Sequence, residues 1–239
     1  MQIECKTFWL AKHGNEADEY EDAFAPAVDV AVQDDVFRCA VADGATESSF
    51  AGAWARLLAE GYSHTSPIDE LRSCLQFFVA SKELSWFAEE KARSGAFAAI
   101  IGIEIRNDEK WDAEAVGDCC LFHVRAGKIV VTFPLAKRED FDKAPFLISS
   151  NHSAGEVPLL RMSSTWQSGD VFFLASDALA RWMMIEAAEG IDVVQKVLAL
   201  SDNSAFGELV QVERQNMDAN DQARLRNDDT TLMLVKVTS

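Results

Sequence analysis

The 239-residue chain is poor in three things, and each shortage counts against a class of function. It is short of basic residues: 22 Lys and Arg stand against 39 Asp and Glu, a formal net charge of −17. Such a surface repels a phosphate backbone and an anionic bilayer alike, so neither nucleic acid nor membrane is expected as a partner. It also lacks paired cysteines. Cys5, Cys39, Cys74, Cys119 and Cys120 form an odd set with no CxxC spacing. That pattern fits small buried side chains in a reducing compartment better than a disulfide framework or a zinc site. Finally, no apolar run approaches the ~20 residues that span a bilayer, and Met1-Gln2-Ile3-Glu4-Cys5-Lys6 has no secretory pattern. A cytoplasmic location is expected.

What the chain does contain is an alternation of apolar runs and helical stripes. The length suits one domain, 1–239, with no repeat, linker or low-complexity tract. Strands are expected at 2–10, 28–32 and 36–42, the last two joined as a hairpin through Gln33-Asp34-Asp35. Phe50, Trp54, Leu57 and Leu58 share one helix face, capped by Thr46 or Ser48. Ser66-Pro67 opens a second long helix, Pro67 at its first position, with a stripe of Ile68, Leu71, Leu75, Phe78 and Val79 and with Gly95 beyond its end. Further strands are expected at 97–105, at 111–116 resuming through 119–124, and at 129–133. Residues 134–168 read as one irregular stretch, long for a compact domain. Helices follow after Asp177, around 193–198 and over 204–217, and 232–237 closes the chain as a strand.

The chemistry concentrates at the ends of the apolar runs. Residues 37–49 carry an apolar run that stops at Asp43-Gly44 and gives way to a helix start. Asp43 is thereby placed at the mouth of a sheet, and Gly44 allows close approach to the main chain. Asp22, Asp118, Asp177 and Asp228 border runs of the same kind. Taken singly, each is a strand or turn cap. Gathered together, like charges 4 Å apart repel by about 4 kcal/mol at an effective dielectric of ~20. Protonation or a bound cation relieves that repulsion. Donors that are all oxygen select hard ions, magnesium or manganese.

In chain order, Glu21-Asp22-Ala23-Phe24, Val41-Ala42-Asp43-Gly44, Val116-Gly117-Asp118, Leu174-Ala175-Ser176-Asp177 and Asp228-Asp229-Thr230-Thr231-Leu232 resemble the motifs of the metal-dependent protein phosphatases. These are the type 2C serine/threonine phosphatases, and the chain looks like a divergent member of bacterial type. The resemblance spans residues 1–237. It implies an α+β fold, a four-layer α-β-β-α sandwich of two mainly antiparallel sheets flanked by helices. It implies hydrolysis of phosphoserine and phosphothreonine in proteins by water activated between two Mn2+ or Mg2+ ions, with a third ion in many members. By position, Asp43 bridges the two ions with the Gly44 carbonyl on one of them. Asp177 and Asp228 complete the first, Glu21 and Asp22 support the second, and Asp118 with Asp177 holds the third. The catalytic acids are then Asp43, Asp177 and Asp228. The implied partners are a phosphoprotein substrate and its cognate kinase, and a monomer is expected.

Three departures from the family pattern stand out. The arginine that commonly grips the substrate phosphate has only Lys12 as its counterpart, a point charge rather than a bidentate fork. Ala45-Thr46-Glu47-Ser48-Ser49 replaces the Gly-rich continuation after Asp-Gly. Ala178 stands for a glycine, and Arg181 for an acid, which bears on the third ion. The altered residues motivate an alternative, a catalytically silent relative kept as a binding or regulatory module. His13 and His152 are candidate proton donors against the commoner role of solvated loop residues, and His123 reads as a surface or core residue of a strand.

Overall fold

The computed structural model describes residues 1–84, 86–155, 157–217 and 222–239. The chain begins with β1 (Gln2–Leu10), then the short β2 (Ala23–Ala25), β3 (Val30–Gln33) and β4 (Val36–Gly44). Helices α1 (Ala51–His64), α2 (Ile68–Ala80) and α3 (Trp86–Arg93) follow. Next come β5 (Phe97–Arg106), β6 (Lys110–Val116), β7 (Cys120–Arg125), β8 (Lys128–Phe133), β9 (Ile148–Ser149), β10 (Leu160–Thr165) and β11 (Val171–Ala175). The chain ends with α4 (Asp177–Ala188), α5 (Val193–Leu198), α6 (Asn203–Gln215) and β12 (Thr230–Thr238).

These strands build two antiparallel sheets, one ordered β3-β1-β12-β11-β7-β8 and the other β10-β6-β5-β4-β2, with β9 added beside β5. The layering follows from the two-residue period of a strand. On β4, Cys39 and Val41 face the other sheet and join Ile101, Ile103, Trp111, Leu121, Phe172 and Met233 in the core between the sheets. Ala40 and Ala42 face the opposite way, against Trp54, Ala55, Leu58 and Ala59 of α1. On β11, Phe172 and Leu174 point between the sheets. Phe173 and Ala175 pack under Leu179, Trp182 and Met183 of α4. Strands covered on both faces have no polar face to show, and so they read as continuous apolar runs. The result is the expected four-layer α-β-β-α sandwich.

Local structure differs from the expectation at several points. Residues 33–35 make no hairpin: β3 pairs with β1 through Gln2↔Gln33, whereas β4 pairs with β5 through Val36↔Arg106. Asp34 and Asp35 carry the chain from one sheet to the other, because β3 is largely exposed and suits an edge while β4 is buried on both faces. Gly117-Asp118 makes the same crossing between β6 and β7. Gly117 has φ 96°, and a Cβ there would lie 2.5 Å from that of Ala99. Helix α1 is not capped by Thr46 or Ser48. It starts from Phe50 in the left-handed region at φ 63°, and Ser48 Oγ instead donates to the Ala45 carbonyl and accepts from Phe97 N. Pro67 is the cap of α2 rather than its first residue, and the long second helix divides after Ala80 into α2 and α3. Of its stripe, Leu71 and Leu75 are buried while Ile68 and Phe78 are exposed. The stretch 134–168 is not wholly irregular, since it contains a 3-10 turn at Arg138–Asp142 together with β9 and β10.

Candidate active site

Both sheets bring acids to the same end of the sandwich. In one sheet, β2 runs beside β4 with Ala23 opposite Ala42, which sets Asp22, just ahead of β2, next to Asp43 near the end of β4. In the other, Ala175 lies opposite Leu232, which sets Ser176 and Asp177 beside the entry to β12. That junction is stitched by Ser176 N donating to the Thr231 carbonyl (3.2 Å) and Thr231 N donating to Ser176 Oγ (3.0 Å). Asp118 arrives through the Gly117 crossing and Asp228 through the segment before β12. A cavity of about 260 Å³ is bordered by Asp43, Gly44, Asp118, Asp177 and Asp228, with Thr46, Lys143 and Arg226 on its walls.

Asp22 lies behind that wall, 4% exposed. Its Oδ2 accepts from Thr231 Oγ1 at 2.7 Å, and its Oδ1 is buried without a hydrogen-bond partner. Leaving such an oxygen unpaired is costly in a folded chain. Burial pushes the Asp22 carboxyl up to about 8, with Asp229 and Asp177 adding to the push. Burial, then Asp22, Asp177, Asp118 and Asp228, hold Asp43 well above the usual carboxylate range. Asp177 is raised by burial and by Asp228, and Asp118 rises to about 7 by burial and Asp177. Glu21 is raised as well, chiefly by burial. The acids cannot all ionise side by side without a counter-charge.

Gly44 is required by packing. A Cβ there would meet both the Ala51 carbonyl carbon and the Glu21 carbonyl oxygen at 2.7 Å, where the end of β4, the approach to β2 and the start of α1 press together. Lys12 follows β1. Its Nζ donates to Thr46 Oγ1 at 3.4 Å and lies 3.9 Å from Glu21 Oε2.

Asp229 organises this side of the site and was not singled out in the sequence. Its Oδ1 accepts from Lys12 N (2.8 Å) and its Oδ2 from Glu21 N (2.7 Å), so one buried carboxylate ties both loops. The available signal was the pair Asp228-Asp229 ahead of a strand, where adjacent side chains take opposite sides. Arg226 was also missed.

The remaining predicted residues lie elsewhere. Arg181 is buried in α4, 5% exposed. His152 Nδ1 is 3.4 Å from Asp69 on α2, away from the acids. His13 borders a neighbouring cavity, its amide donating to Asn227 Oδ1 at 2.7 Å. His123 is a core residue whose Nε2 sits 2.8 Å from Asp170 Oδ2. Among the described residues no three His, Cys, Asp or Glu side chains stand as a ready-made metal shell. What suits a hard cation is the donor chemistry: oxygen only, an orphaned buried Asp22 Oδ1, and mutual repulsion that a cation relieves.

No family model and no curated protein matches the sequence. Solved structures do match over nearly the whole chain. The Mycobacterium tuberculosis serine/threonine phosphatase PstP/Ppp is 12% identical, with 100% of each chain covered and a TM-score of 0.63. The photosystem II phosphatase PBCP is 17% identical, with 99% of each chain covered and a TM-score of 0.57. RsbX in complex with magnesium is 17% identical, covering 99% of this chain and 96% of that one at a TM-score of 0.50. The fold of the chain is that of the type 2C serine/threonine phosphatases.

Proposed function

We propose that the chain is a metal-dependent phosphatase that hydrolyses phosphoserine and phosphothreonine in proteins. The observation that carries this reading is the convergence of Asp22, Asp43, Asp118, Asp177 and Asp228 from both sheets, in mutual repulsion and without enough cations of their own. Asp43 would serve both of two Mn2+ or Mg2+ ions and the Gly44 carbonyl one of them, with Asp177 and Asp228 completing the first and Glu21 and Asp22 supporting the second. Asp118 with Asp177 would hold a third, with one acid fewer than the family pattern because Arg181 stands in its place in α4. When bound, such ions supply an activated water and offset charge on the phosphoryl oxygens.

The chain's own residues do the positioning. Asp229 holds the backbones of Lys12 and Glu21 in register. Lys12 offers a cation beside Thr46 for the substrate phosphate, while Arg226 and Lys143 draw an anion into the cavity. On this reading the acceptor of the phosphoryl group is water rather than a side chain. The substrate is a phosphoprotein, with a cognate kinase upstream, and the location is the cytoplasm. No described helix is long and apolar enough to cross a membrane.

A second reading is favoured by one feature: the Lys12 ammonium already faces Glu21 at 3.9 Å, which spends part of its charge. On that reading the protein is a catalytically silent module. Turnover of a phosphopeptide with Mn2+, with chelator, and by Asp43→Asn separates the two. Hydrolysis that needs both metal and Asp43 supports the phosphatase. Equal rates in all three sink it, and a calorimetric titration without Mn2+ binding supports the silent module.

A further inference from the structure

A second cavity opens on the other side of Lys12. It holds about 780 Å³, against about 260 Å³ at the acids, and lies between the end of β1, the loop after it and α6. In a chain of net charge −17, no Asp or Glu among the described residues lines it, whereas Lys12, His13 and Arg214 do. Arg214 spends its Nη atoms on the carbonyls of Ala11 and Asp228, and its buried Nε has no partner. The carboxamides of Asn15, Gln211 and Gln215 also line the cavity, and within the described residues they make no hydrogen bonds. Lys12 is the shared wall: it borders this cavity while its ammonium donates to Thr46, which borders the other.

We infer that this cavity receives the polypeptide that flanks the phosphoresidue, and that it favours a segment bearing acidic side chains. The inference rests on the proposed function and names its substrate class. Free carboxamides offer both donors and acceptors, as peptide N–H and C=O groups need. A volume of this order suits a short segment rather than a single ion. The sign of the walls matters most. Over most of the surface an acidic peptide is repelled, and here Lys12 and Arg214 reverse that repulsion beside the position proposed for the phosphate.

The test uses the full chain and two fluorescent peptides of one scaffold, with three Asp or three Lys following the target serine. Anisotropy with the unphosphorylated peptides in Mg2+ reads the cavity without catalysis. The wild type is expected to bind the Asp peptide at least tenfold more tightly. Gln211→Glu/Gln215→Glu places two carboxylates at exposed positions of α6 and is expected to bring the ratio near one at an unchanged melting temperature. Should the double variant melt early, Gln215→Glu alone is expected to lower the ratio at least threefold. A wild-type ratio near one, or a ratio untouched by these substitutions in folded protein, overturns the inference. Turnover of p-nitrophenyl phosphate with Mn2+ by the wild type is measured in parallel. Its absence overturns the phosphatase reading, and a retained Asp-peptide preference then still identifies the cavity as a peptide site.

Discussion

Strand β11 has an acid at each end, Asp170 buried and Asp177 half-buried, and the two ends are built on opposite terms. At its start, Asp170 is 2% exposed, yet its carboxylate accepts from Arg125 Nη2 (2.7 Å), His123 Nε2 (2.8 Å) and Gln167 N (2.8 Å). Burial alone would raise Asp170, but Arg125, the Gln167 amide and His123 outweigh it and hold the carboxyl below its usual range. Roughly 20 Å away along the strand, Asp177 joins Asp43 and Asp22, all held above the usual range by burial and by one another. An acid that serves the fold is matched by donors the chain provides. The acids at the other end are not, which is the arrangement expected of a site completed by something the chain does not encode.

The sharpest way to break this contrast is to neutralise one acid at each end. Asp43→Asn is expected to lower phosphopeptide turnover with Mn2+ by about 10²–10³-fold, the scale of losing a group that stabilises transition-state charge. Without metal, the same variant should melt higher than the wild type at pH 8, since a half-buried carboxyl crowded by other acids has been removed. Asp170→Asn should do the reverse. Arg125 and His123 lose their partner, and because Arg125 is 31% exposed the loss is about 2–3 kcal/mol rather than the full cost of a buried pair. Turnover per folded molecule should then stay within twofold. Thermal melts and initial rates on the two variants decide the matter, and a destabilised Asp43→Asn would dissolve the distinction.

The acids of the candidate site were legible in the sequence because each borders an apolar run, Asp43 and Asp177 where one stops and Asp22 and Asp228 where one starts, a mark that survives without any knowledge of pairing. The four layers came from the resemblance carried by the order of the acidic motifs, and the apolar runs and striped helices agree with it, since such elements have few other ways to pack. Strand partners were not. The runs at 30–33 and 36–44 lie two residues apart, and nothing local says that they belong to different sheets. The left-handed start of α1 at Phe50 was hidden because Thr46 and Ser48 are better caps by type, and only the contacts of Ser48 with Ala45 and Phe97 and of Thr46 with Lys12 show them engaged elsewhere. Asp229 was hidden by its neighbour. Whether Asp228 or Asp229 faces the cavity depends on the register of β12, and the residue turned away proved to tie Lys12 to Glu21.

The two ends should also separate by pH. A carboxyl raised in the folded state keeps its proton where the unfolded chain, titrating near 4, has lost it. Its contribution is therefore fully present below about pH 4 and lost as pH rises through about 7 for Asp118 and about 8 for Asp22. Asp170 runs the other way, losing its contribution as pH falls through its depressed value. Metal-free protein should accordingly lose stability between pH 5 and 8, at up to about 1.4 kcal/mol per pH unit for each group still protonated. Denaturant melts in chelator measure the slope. Asp22→Asn should make it shallower, and Mn2+ should flatten or reverse it. A slope that is flat in chelator would mean that the acids are ionised and already compensated.

The smallest expected effect lies at Lys12, which belongs to neither end alone. Its backbone is held by Asp229, and its ammonium is divided among Thr46, Glu21 and any incoming phosphate. Because Glu21 already takes part of that charge, Lys12→Ala should raise KM for a phosphopeptide only about threefold to tenfold, the range of a partly exposed ion pair, with kcat changed less. Lys12→Arg adds a planar fork that can engage two phosphate oxygens, and should lower KM below the wild-type value. Glu21→Gln releases the ammonium but also weakens the side proposed to hold the second ion, so it should lower KM and kcat together. If Lys12→Ala instead reduced kcat by a hundredfold at constant KM, the residue would be acting on the transition state, and the acids would not be the sole source of the chemistry.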